Sequence, residues 1–553
     1  MSTLSLLGTQ LFCTSSYDRL DDAQKTRVSY LRARELARHY KFTKSDVVNL
    51  TPKFWGVFQD NISAFDAIAC ALLAIQINLV AGTILNYANP ASDHEDLIQR
   101  TLNFDVSGQF MLTEVGHGLD ARNLETTATF LGDEGFDLHT PHMNAAKFMP
   151  PNSPIEGFPR FGLVFAKLIV KNESRGIRPF IVWLNDGNKM APGVTSKLLP
   201  TRGGEKPLDY SLTIFNHVRL PLTSLLGSMD PPADDRKHFM RMISRVGIGG
   251  FSIAMFGLSM LRRSVFVAGK YSLRRKVSDF NGQLQPIIIF RTQQAPILHS
   301  LAQLLVLDAF VPWAIAQVKN PKLNEYSRHG ILVTAKALLV KAAQENLFHL
   351  TERCGVQGIF QHNEIYESLH QSRGGSIVEG DSLVLSIRLA SELLLDRFQM
   401  PPIKDPDCLL GRLENSLFDE AKSLLKKMDS RHRSEDYNQL ILPRCQNLIH
   451  TMGNRMAYEA AKEAKVNAAG LALFEARAVA ENSAWFVEKG GISREDQFMM
   501  ESRAMNLLLP QLEAMLDSLG VEEYCKAPIL SDEALQAFHD GLSTFDQHGH
   551  QQL

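Results

Sequence analysis

One glutamate stands at the entrance of a predicted helix, where a carboxylate could act as an acid or a base. In the stretch RGGSIVEGDSLVLSIRLASELL, residues 373–394, Glu379 follows the apolar pair Ile377 and Val378 and precedes a glycine. From Asp381 onward apolar residues recur at helical spacing, and Asp381 or the serine after it can cap the first turn. The helix dipole would favour the ionised form of Glu379, whereas burial beside the apolar pair would favour the neutral form.

Two interpretations of Glu379 therefore stay open at this point. The carboxylate could do no more than complement the helix dipole, and spacing alone favours this reading. Alternatively, a carboxylate whose pKa is raised toward neutrality by an apolar pocket suits general-base chemistry. A choice between them needs the rest of the chain.

The elements that must position this residue are predicted in the order helix, sheet, helix, helix. Residues 1–108 show helical periodicity, and residues 109–228 are rich in β-branched and aromatic residues separated by Gly, Pro and Asn turns. Residues 229–400, which contain the glutamate, and residues 401–553, which follow the connection MPPIKDPD, are again helical. The pattern predicts an α+β chain of four domains, with strands in the second domain only.

Composition excludes several classes of function. The chain has 553 residues, and 58 Lys and Arg against 60 Asp and Glu leave a net charge of −2. Without a basic stripe interleaved with aromatic residues, nucleic acid is not a predicted partner. The six cysteines are scattered without a CxxC pair, which predicts a reducing compartment and neither a disulfide framework nor a metal site.

One uncharged run, AIACALLAIQINLVAGTIL at Ala67–Leu85, is long enough to raise the question of a membrane helix. Gln76 and Asn78 lie at its middle, and neither flank carries a basic cluster. We expect a buried globular helix here and no membrane span, because the sequence offers no obvious second candidate.

A series of motifs resembles the acyl-CoA oxidases and, more distantly, the acyl-CoA dehydrogenases. The order and approximate spacing of the motifs persist over about residues 20–545. In chain order they are Thr113-Glu114 with GHG, LETTAT, HTP, GIRPFIV, PGVT, HVRLP, YSLRRK, CGVQG and VEGDS.

The resemblance implies a fold and an activity. The fold would be a helical domain, a β-barrel-like domain, a second helical domain and the additional C-terminal helical domain of the oxidases. FAD would lie between the β domain and the second helical domain, and a homodimer would be expected. The implied reaction is α,β-desaturation of an acyl thioester such as an acyl-CoA, with O2 reoxidising the flavin to give H2O2.

The resemblance also assigns roles to individual residues. Glu379 matches the catalytic base, because the family's glutamate follows its CGG stretch at a fixed interval and here 379 minus 354 gives 25. Thr113 matches a threonine at the flavin ring, and Arg275 an arginine that reaches the FAD pyrophosphate. Gly355 and Gly358 match a glycine turn at the adenosine half, although helix termination would explain them nearly as well. For Arg275 the alternative is a solvated basic face shared with its two basic neighbours.

Several positions depart from the family pattern. Phe148 and the methionine after it replace two tryptophans, and Pro151 replaces a glycine at the flavin, which removes one N–H. Leu119 stands where a small polar residue usually faces cofactor and substrate. Arg291 replaces a glutamine on the adenosine side, where it could pair with a phosphate, and Val356 replaces the second glycine of the CGG motif. These departures predict a specialised substrate and not an ordinary fatty acyl-CoA.

Two rival functions remain. One is a dehydrogenase-like desaturase that acts on an intermediate of secondary metabolism and uses another electron acceptor. The other is a catalytically silent relative kept as a scaffold, a reading that the departures favour and that retention of Glu379 opposes, because a scaffold has no use for a buried carboxylate. The sequence shows no clear targeting signal, so we expect an intracellular protein, cytoplasmic or peroxisomal.

Overall fold

A computed structural model describes residues 2–13, 17, 19–87, 94–428, 432 and 434–545. The chain divides into two compact units, residues 1–253 and residues 254–553. The second unit contains Glu379. The division into four domains, which is finer, stays a prediction.

The first unit begins with helices. Several of them start at a polar cap, as at Asp21, whose side chain accepts a hydrogen bond from the amide of Gln24. The helical turns from Ala67 to Tyr87 form one apolar rod whose middle, Ile75–Ala81, is wound as a π-helix. The α-helices before the sheet are Leu4–Leu7, Asp22–Tyr40, Lys44–Val48, Pro52–Gln59, Ile62–Phe65, Ala67–Ala74, Gly82–Tyr87 and Glu95–Leu102.

Nine strands follow in the described part of the first unit, as the runs of β-branched and aromatic residues predict. They are β1 (Ser107–Met111), β2 (Thr127–Phe130), β3 (Phe136–His139), β4 (Lys147–Pro151), β5 (Arg160–Val170), β6 (Glu173–Asn185), β7 (Val194–Leu198), β8 (Tyr210–Phe215) and β9 (Val218–Leu220). β5 is the centre of the larger sheet, in which β1 and β2 run parallel to different halves of β5 and β6 pairs with it antiparallel. β3 continues this sheet from β2 and carries β9 at its edge.

The smaller sheet, in the order β4-β8-β7, is antiparallel throughout. In it Lys147 lies opposite Thr213, and the register of β4 shifts between Phe148 and Pro151. Residues of both sheets share one apolar core, because alternate side chains of each strand point to the same side. Its largest members are Met111, Phe136, Phe180 and Phe215.

The second unit is mainly helical, as predicted. Helix Asp235–Met242 still belongs to the first unit, and helix Ser244–Arg274 begins in the first unit and ends in the second. The α-helices that follow are Arg291–Val318, Glu325–Arg353, Ile365–Arg373, Ser382–Leu394, Leu409–Lys427, Glu435–Leu440, Leu442–Glu463, Ala468–Glu481, Ser483–Trp485, Arg494–Leu508, Leu512–Ser518 and Asp532–Asp540. The prediction that strands are confined to residues 109–228 is wrong, because β10 (Lys276–Ser278) and β11 (Leu284–Pro286) form a hairpin. Strands of three residues are too short to give an alternating signal.

The expectation of a single candidate membrane helix is also wrong. By length and composition alone, Ser244–Arg274 and Arg291–Val318 qualify in addition to Ala67–Tyr87. In the most apolar stretch of Ala67–Tyr87, 83% of the residues are buried inside the protein, compared with 89% for Ser244–Arg274 and 50% for Arg291–Val318. A helix packed against other helices on most sides is apolar on most sides, which composition cannot distinguish from a lipid-facing helix.

Candidate active site

Glu379 lies in a short loop between a 3₁₀ turn, Gly374–Ser376, and helix Ser382–Leu394. Its backbone is left-handed, with φ of +54°, and Gly380 follows with φ of +94°. A residue with a Cβ adopts this conformation at a cost of about 1–2 kcal/mol, so the surroundings must hold it there. The sequence gives no sign of this strain, because Asn and Gly are the usual residues at such a φ.

The first turn of helix Ser382–Leu394 is capped by Asp381 and not by Glu379. The Asp381 carboxylate accepts hydrogen bonds from the amides of Leu383, at 2.9 Å, and Val384, at 3.0 Å. The predicted cap is therefore confirmed. Because Asp381 takes these amides, the Glu379 carboxylate is left out of the capping interaction.

One oxygen of the Glu379 carboxylate is shielded from water, although the residue as a whole is only partly buried. Its Oε2 atom is inaccessible to solvent and has no hydrogen-bond partner in the described part of the chain. Burial raises the pKa of Glu379 to about 8, and the positive charge of Lys336 limits that rise. A carboxyl group with a pKa near neutrality and an unpaired oxygen is suited to accept a proton.

Lys336 lies beneath this loop, on helix Glu325–Arg353. Its Nζ donates hydrogen bonds to the carbonyl oxygens of Val378, at 2.6 Å, of Glu379, at 3.3 Å, and of Gly380. The side chain is almost fully buried, and burial lowers the pKa of Lys336 to about 8, although the nearby Glu379 and Asp381 charges act in the opposite direction. The ammonium thus bonds the backbone around Glu379.

The loop after helix Glu325–Arg353 contains the two predicted glycines. Gly355 has φ of +58° and open space around its Cα, and a Cβ on Gly358 would lie 1.8 Å from the carbonyl oxygen of Thr351. Backbone geometry at the end of the helix therefore explains both glycines without a cofactor. Their contact with FAD stays a prediction.

The two predicted arginines of the second unit differ in their surroundings. Arg275 is exposed, and among the described residues its guanidinium has no hydrogen-bond or ion-pair partner. Its neighbour Arg274 instead pairs with Asp532 and with the carbonyl oxygen of Ile529, so the two do not form one solvated basic face. The guanidinium of Arg291, at the start of helix Arg291–Val318, donates to Asn506.

In the first unit the structure brings two predicted cofactor residues into direct contact. The amide of Phe148 donates to the carbonyl oxygen of Thr113, at 3.0 Å. Both residues are only partly covered, since Phe148 is 38% exposed. This backbone hydrogen bond holds the segment that follows β1 against the start of β4.

A buried ion pair next to these residues was not predicted. Lys147 Nζ lies 2.9 Å from Glu114 Oε1 and also donates to the carbonyl oxygen of Phe165, at 2.7 Å. The Glu114 carboxylate further accepts hydrogen bonds from the amides of Glu125 and Thr126, at 2.6 and 2.9 Å. The sequence signals for this pair were few. Glu114 lies near the start of the predicted β domain, and Lys147 comes directly before the apolar pair Phe148 and Met149.

Two of the departing residues differ strongly in exposure. Leu119 is 73% exposed, on the loop between β1 and β2, whereas Pro151 is buried in β4 opposite Tyr210. A proline can occupy β4 because the register shift before it removes the need for an N–H donor at that point. Within the described ranges, no group of three or more His, Cys, Asp or Glu side chains could hold a metal ion.

Comparison with known proteins identifies the fold. No protein-family model matches the chain. An acyl-CoA oxidase from Yarrowia lipolytica superimposes with a TM-score of 0.82 and 17% identity, over 97% of this chain and 88% of the oxidase. Acyl-CoA oxidase 1 from Arabidopsis thaliana gives a TM-score of 0.78 and 16% identity, over 98% of this chain and 90% of that one. The chain has the acyl-CoA oxidase fold.

Sequence similarity agrees with the fold. Human peroxisomal acyl-coenzyme A oxidase 3 is 26% identical over 345 residues, which are 57% of this chain and 49% of the human protein. A putative peroxisomal acyl-coenzyme A oxidase from Arabidopsis thaliana is 24% identical over 337 residues, 56% of this chain and 50% of that protein. The chain is similar in sequence to the acyl-CoA oxidases, and the matches span about half the length of these curated relatives. The predicted fold class is confirmed.

Proposed function

We propose that the chain catalyses FAD-dependent α,β-desaturation of an acyl thioester, as an acyl-CoA oxidase-like enzyme. The observation that carries the proposal is the Glu379 carboxyl group, which has a solvent-excluded, unpaired oxygen and a pKa raised to about 8 by burial. It lies at the interval from Cys354 that the oxidase resemblance requires. A purely structural carboxylate would be expected to have hydrogen-bond donors.

The reaction needs a base for the weakly acidic proton next to the thioester carbonyl. In our proposal Oε2 of Glu379 accepts this α proton while the β hydrogen leaves as hydride, and the C–H electron pair forms the α,β double bond. FAD, when bound, supplies the hydride acceptor. The raised pKa matches the base to the working pH, and a base of this kind contributes a rate factor of ~10²–10⁴.

Each unit offers groups that suit parts of FAD. Thr113 and Phe148 offer the flavin ring a hydroxyl group and a half-exposed aromatic face, although Pro151 lacks the N–H of the usual glycine. Arg275 presents an exposed guanidinium with no partner within the described residues, a group suited to a pyrophosphate. Arg291 would support the adenosine half with the donors that Asn506 leaves free, and Gly355 and Gly358 would line it. Solved structures of Caenorhabditis elegans acyl-CoA oxidases contain FAD.

We further propose O2 as electron acceptor, with H2O2 as product, and a specialised acyl group on the thioester. The similarity to oxidases supports the acceptor. An acyl-CoA oxidase from Caenorhabditis elegans, with a TM-score of 0.75 and 18% identity, is bound with ascaroside-CoA. That example and the departures at Leu119 and Phe148 favour a non-standard acyl group. We also propose a homodimer, as the family resemblance implies, and a peroxisomal or cytoplasmic location, of which the peroxisome agrees with the names of the same relatives.

The test starts from the absorbance spectrum of the purified protein, which should show bound flavin. Anaerobic titration with straight-chain, branched and glycosylated acyl thioesters should bleach the flavin band with at least one of them. Glu379→Gln should keep the flavin spectrum and slow the bleaching by ~10²–10⁴-fold, because the amide cannot accept the proton. The matched control is Glu463→Gln, at the end of helix Leu442–Glu463, where the exposed carboxylate pairs with Lys404.

Admitting oxygen separates the alternatives. Rapid recovery of the flavin band with release of peroxide supports the oxidase, whereas slow recovery supports the dehydrogenase-like desaturase. A colourless protein would support the silent relative, a reading that Pro151, Leu119 and Val356 favour. Equal bleaching by Glu379→Gln and the native protein would remove Glu379 from its role.

A further inference from the structure

The backbone around Glu379 is held by a single ammonium group. The carbonyl oxygens of three consecutive residues, Val378, Glu379 and Gly380, converge on Nζ of Lys336. An ammonium group has three N–H donors, so the three carbonyls use all of them. The convergence depends on the left-handed backbone at positions 379 and 380, where φ is +54° and +94°.

This arrangement leaves the carboxylate itself unpaired. Among the described residues no ion pair joins Lys336 to the Glu379 carboxylate, because the ammonium faces the carbonyl groups. The other nearby acid, Asp381, uses its carboxylate to cap the following helix. The charged groups that act on this loop are therefore the Lys336 ammonium and the Glu379 and Asp381 carboxylates.

We propose that Lys336 is the positioning residue of the base: it locks the Val378–Gly380 backbone in the left-handed turn and supplies a positive charge without consuming the carboxylate. This inference rests on the proposed function of Glu379. A lysine that bonded the carboxylate directly would hold it ionised but occupy the oxygen that must take the proton. Because Lys336 bonds only backbone carbonyl groups, its charge acts on the Glu379 carboxylate while both carboxylate oxygens stay free of hydrogen bonds from this lysine.

Three substitutions separate charge from hydrogen bonding at position 336. Lys336→Met removes both, Lys336→Gln keeps a donor without the charge, and Lys336→Arg keeps charge and donors. The matched control is Lys341→Met on the same helix, because Lys341 pairs with Glu481 and does not contact the loop. The measurement is the rate constant of anaerobic flavin bleaching as a function of pH, in the FAD-loaded protein with the thioester that bleaches the native enzyme.

We expect Lys336→Met and Lys336→Gln to shift the rising limb of the pH profile upward by about 1–3 pH units, because loss of the cation raises the pKa of the neighbouring carboxyl group. Lys336→Arg should keep the limb near its native position, and Lys341→Met should leave the whole profile unchanged. If Lys336→Met does not fold, Lys336→Gln decides the question. A limb that stays in place in the folded Met or Gln variant would overturn the inference and leave Glu379 as the base.

The native protein and Glu379→Gln, run in parallel, keep the two proposals apart. Bleaching by Glu379→Gln at the native rate would overturn the base itself, and the inference with it. A second readout does not depend on turnover: the melting temperature at pH 9.5. The gain in melting temperature caused by Glu379→Gln should be larger in the Lys336→Gln background than in the Lys336→Arg background, since arginine keeps its charge at this pH and a charged Glu379 is costlier without a cation. Equal gains would contradict the inference.

Discussion

Each of the two units contains a buried lysine next to a glutamate, and the two pairs are built in opposite ways. In the first unit Lys147 bonds the carboxylate of Glu114 directly, and two backbone amides complete its hydrogen bonds. In the second unit Lys336 bonds only the backbone of Glu379, whose Oε2 is left unpaired. The same two residue types thus give a structural anchor in one place and a candidate base in the other.

The pKa values of the two carboxyl groups show what decides the difference. Burial alone would raise the pKa of Glu114, but Lys147 and the hydrogen bonds of Thr126 and Glu125 outweigh burial and hold that pKa below its ordinary value. For Glu379 burial prevails and raises the pKa to about 8, since only the charge of Lys336 opposes it. At Glu114 the charge of the lysine together with hydrogen bonds to the carboxylate outweighs burial, whereas at Glu379 the charge of the lysine acts without such hydrogen bonds and does not.

The largest expected effect is the loss of one partner from the first pair. Glu114→Gln or Lys147→Met should each destabilise the protein by about 3–5 kcal/mol, because the remaining charge stays buried without its partner. Chemical denaturation followed by circular dichroism measures this. The double variant Glu114→Gln/Lys147→Met should lose less stability than the sum of the losses of the single variants, because it removes both charges and leaves neither of them buried without a partner. Additive losses would show that the ion pair contributes little.

The sequence predicts many of the helices and strands that surround the two lysine–glutamate pairs, but it predicts neither pair. Helical periodicity and the Asp381 cap place the start of helix Ser382–Leu394 correctly, and β-branched runs place the strands of the first unit. Lys336 lies 43 positions before Glu379, so its contact is set by tertiary packing. The only signal was a lysine inside the apolar run ILVTAKALLV, since a buried charge requires partners.

The backbone at Glu379 could not be predicted for a related reason. A glutamate with φ of +54° has no local sequence signature, and its conformation depends on the lysine from another helix. The roles taken from the resemblance differ in how far the structure bears on them. The backbone contact between Thr113 and Phe148 is visible within one unit. Gly355 and Gly358 are required by the backbone geometry at the end of a helix, whether or not they contact a cofactor. The resemblance assigns roles to residue positions, and only the structure shows which contacts hold the residue at each position.

The contribution of Glu379 to the stability of the protein should fall as pH rises, which is opposite to the behaviour of a carboxylate whose pKa is lowered, such as Glu114. Because the folded-state pKa of Glu379, about 8, lies above its unfolded value, its contribution to stability is fully present below pH 4.5 and is lost as pH rises through 8. Glu379→Gln should therefore be more stable than the native protein at pH 9 and show a smaller difference at pH 5. The gain is about 1.4 kcal/mol for each unit of pKa displacement.

Melting temperatures of both proteins between pH 5 and 9 measure this gain. Glu463→Gln is the control, because that exposed glutamate pairs with Lys404 at the protein surface and its loss should give a small change at every pH. If the Glu379→Gln variant were instead less stable at pH 9 than at pH 5, relative to native, the carboxylate would be a stabilising charge like Glu114. The contrast between the two pairs would then disappear.

The smallest expected effect separates Glu379 from its neighbour Asp381. Asp381→Ala should cost about 1 kcal/mol, since the amides of Leu383 and Val384 lose their cap. Asp381→Asn should recover most of this loss, because an asparagine side chain also caps a helix. Stability is measured by denaturation, and flavin bleaching by Asp381→Asn should stay within a few-fold of native. A loss of bleaching in Asp381→Asn as large as that of Glu379→Gln would mean that the two acids share the proton. Asp381 would then take part in the reaction in addition to capping the helix.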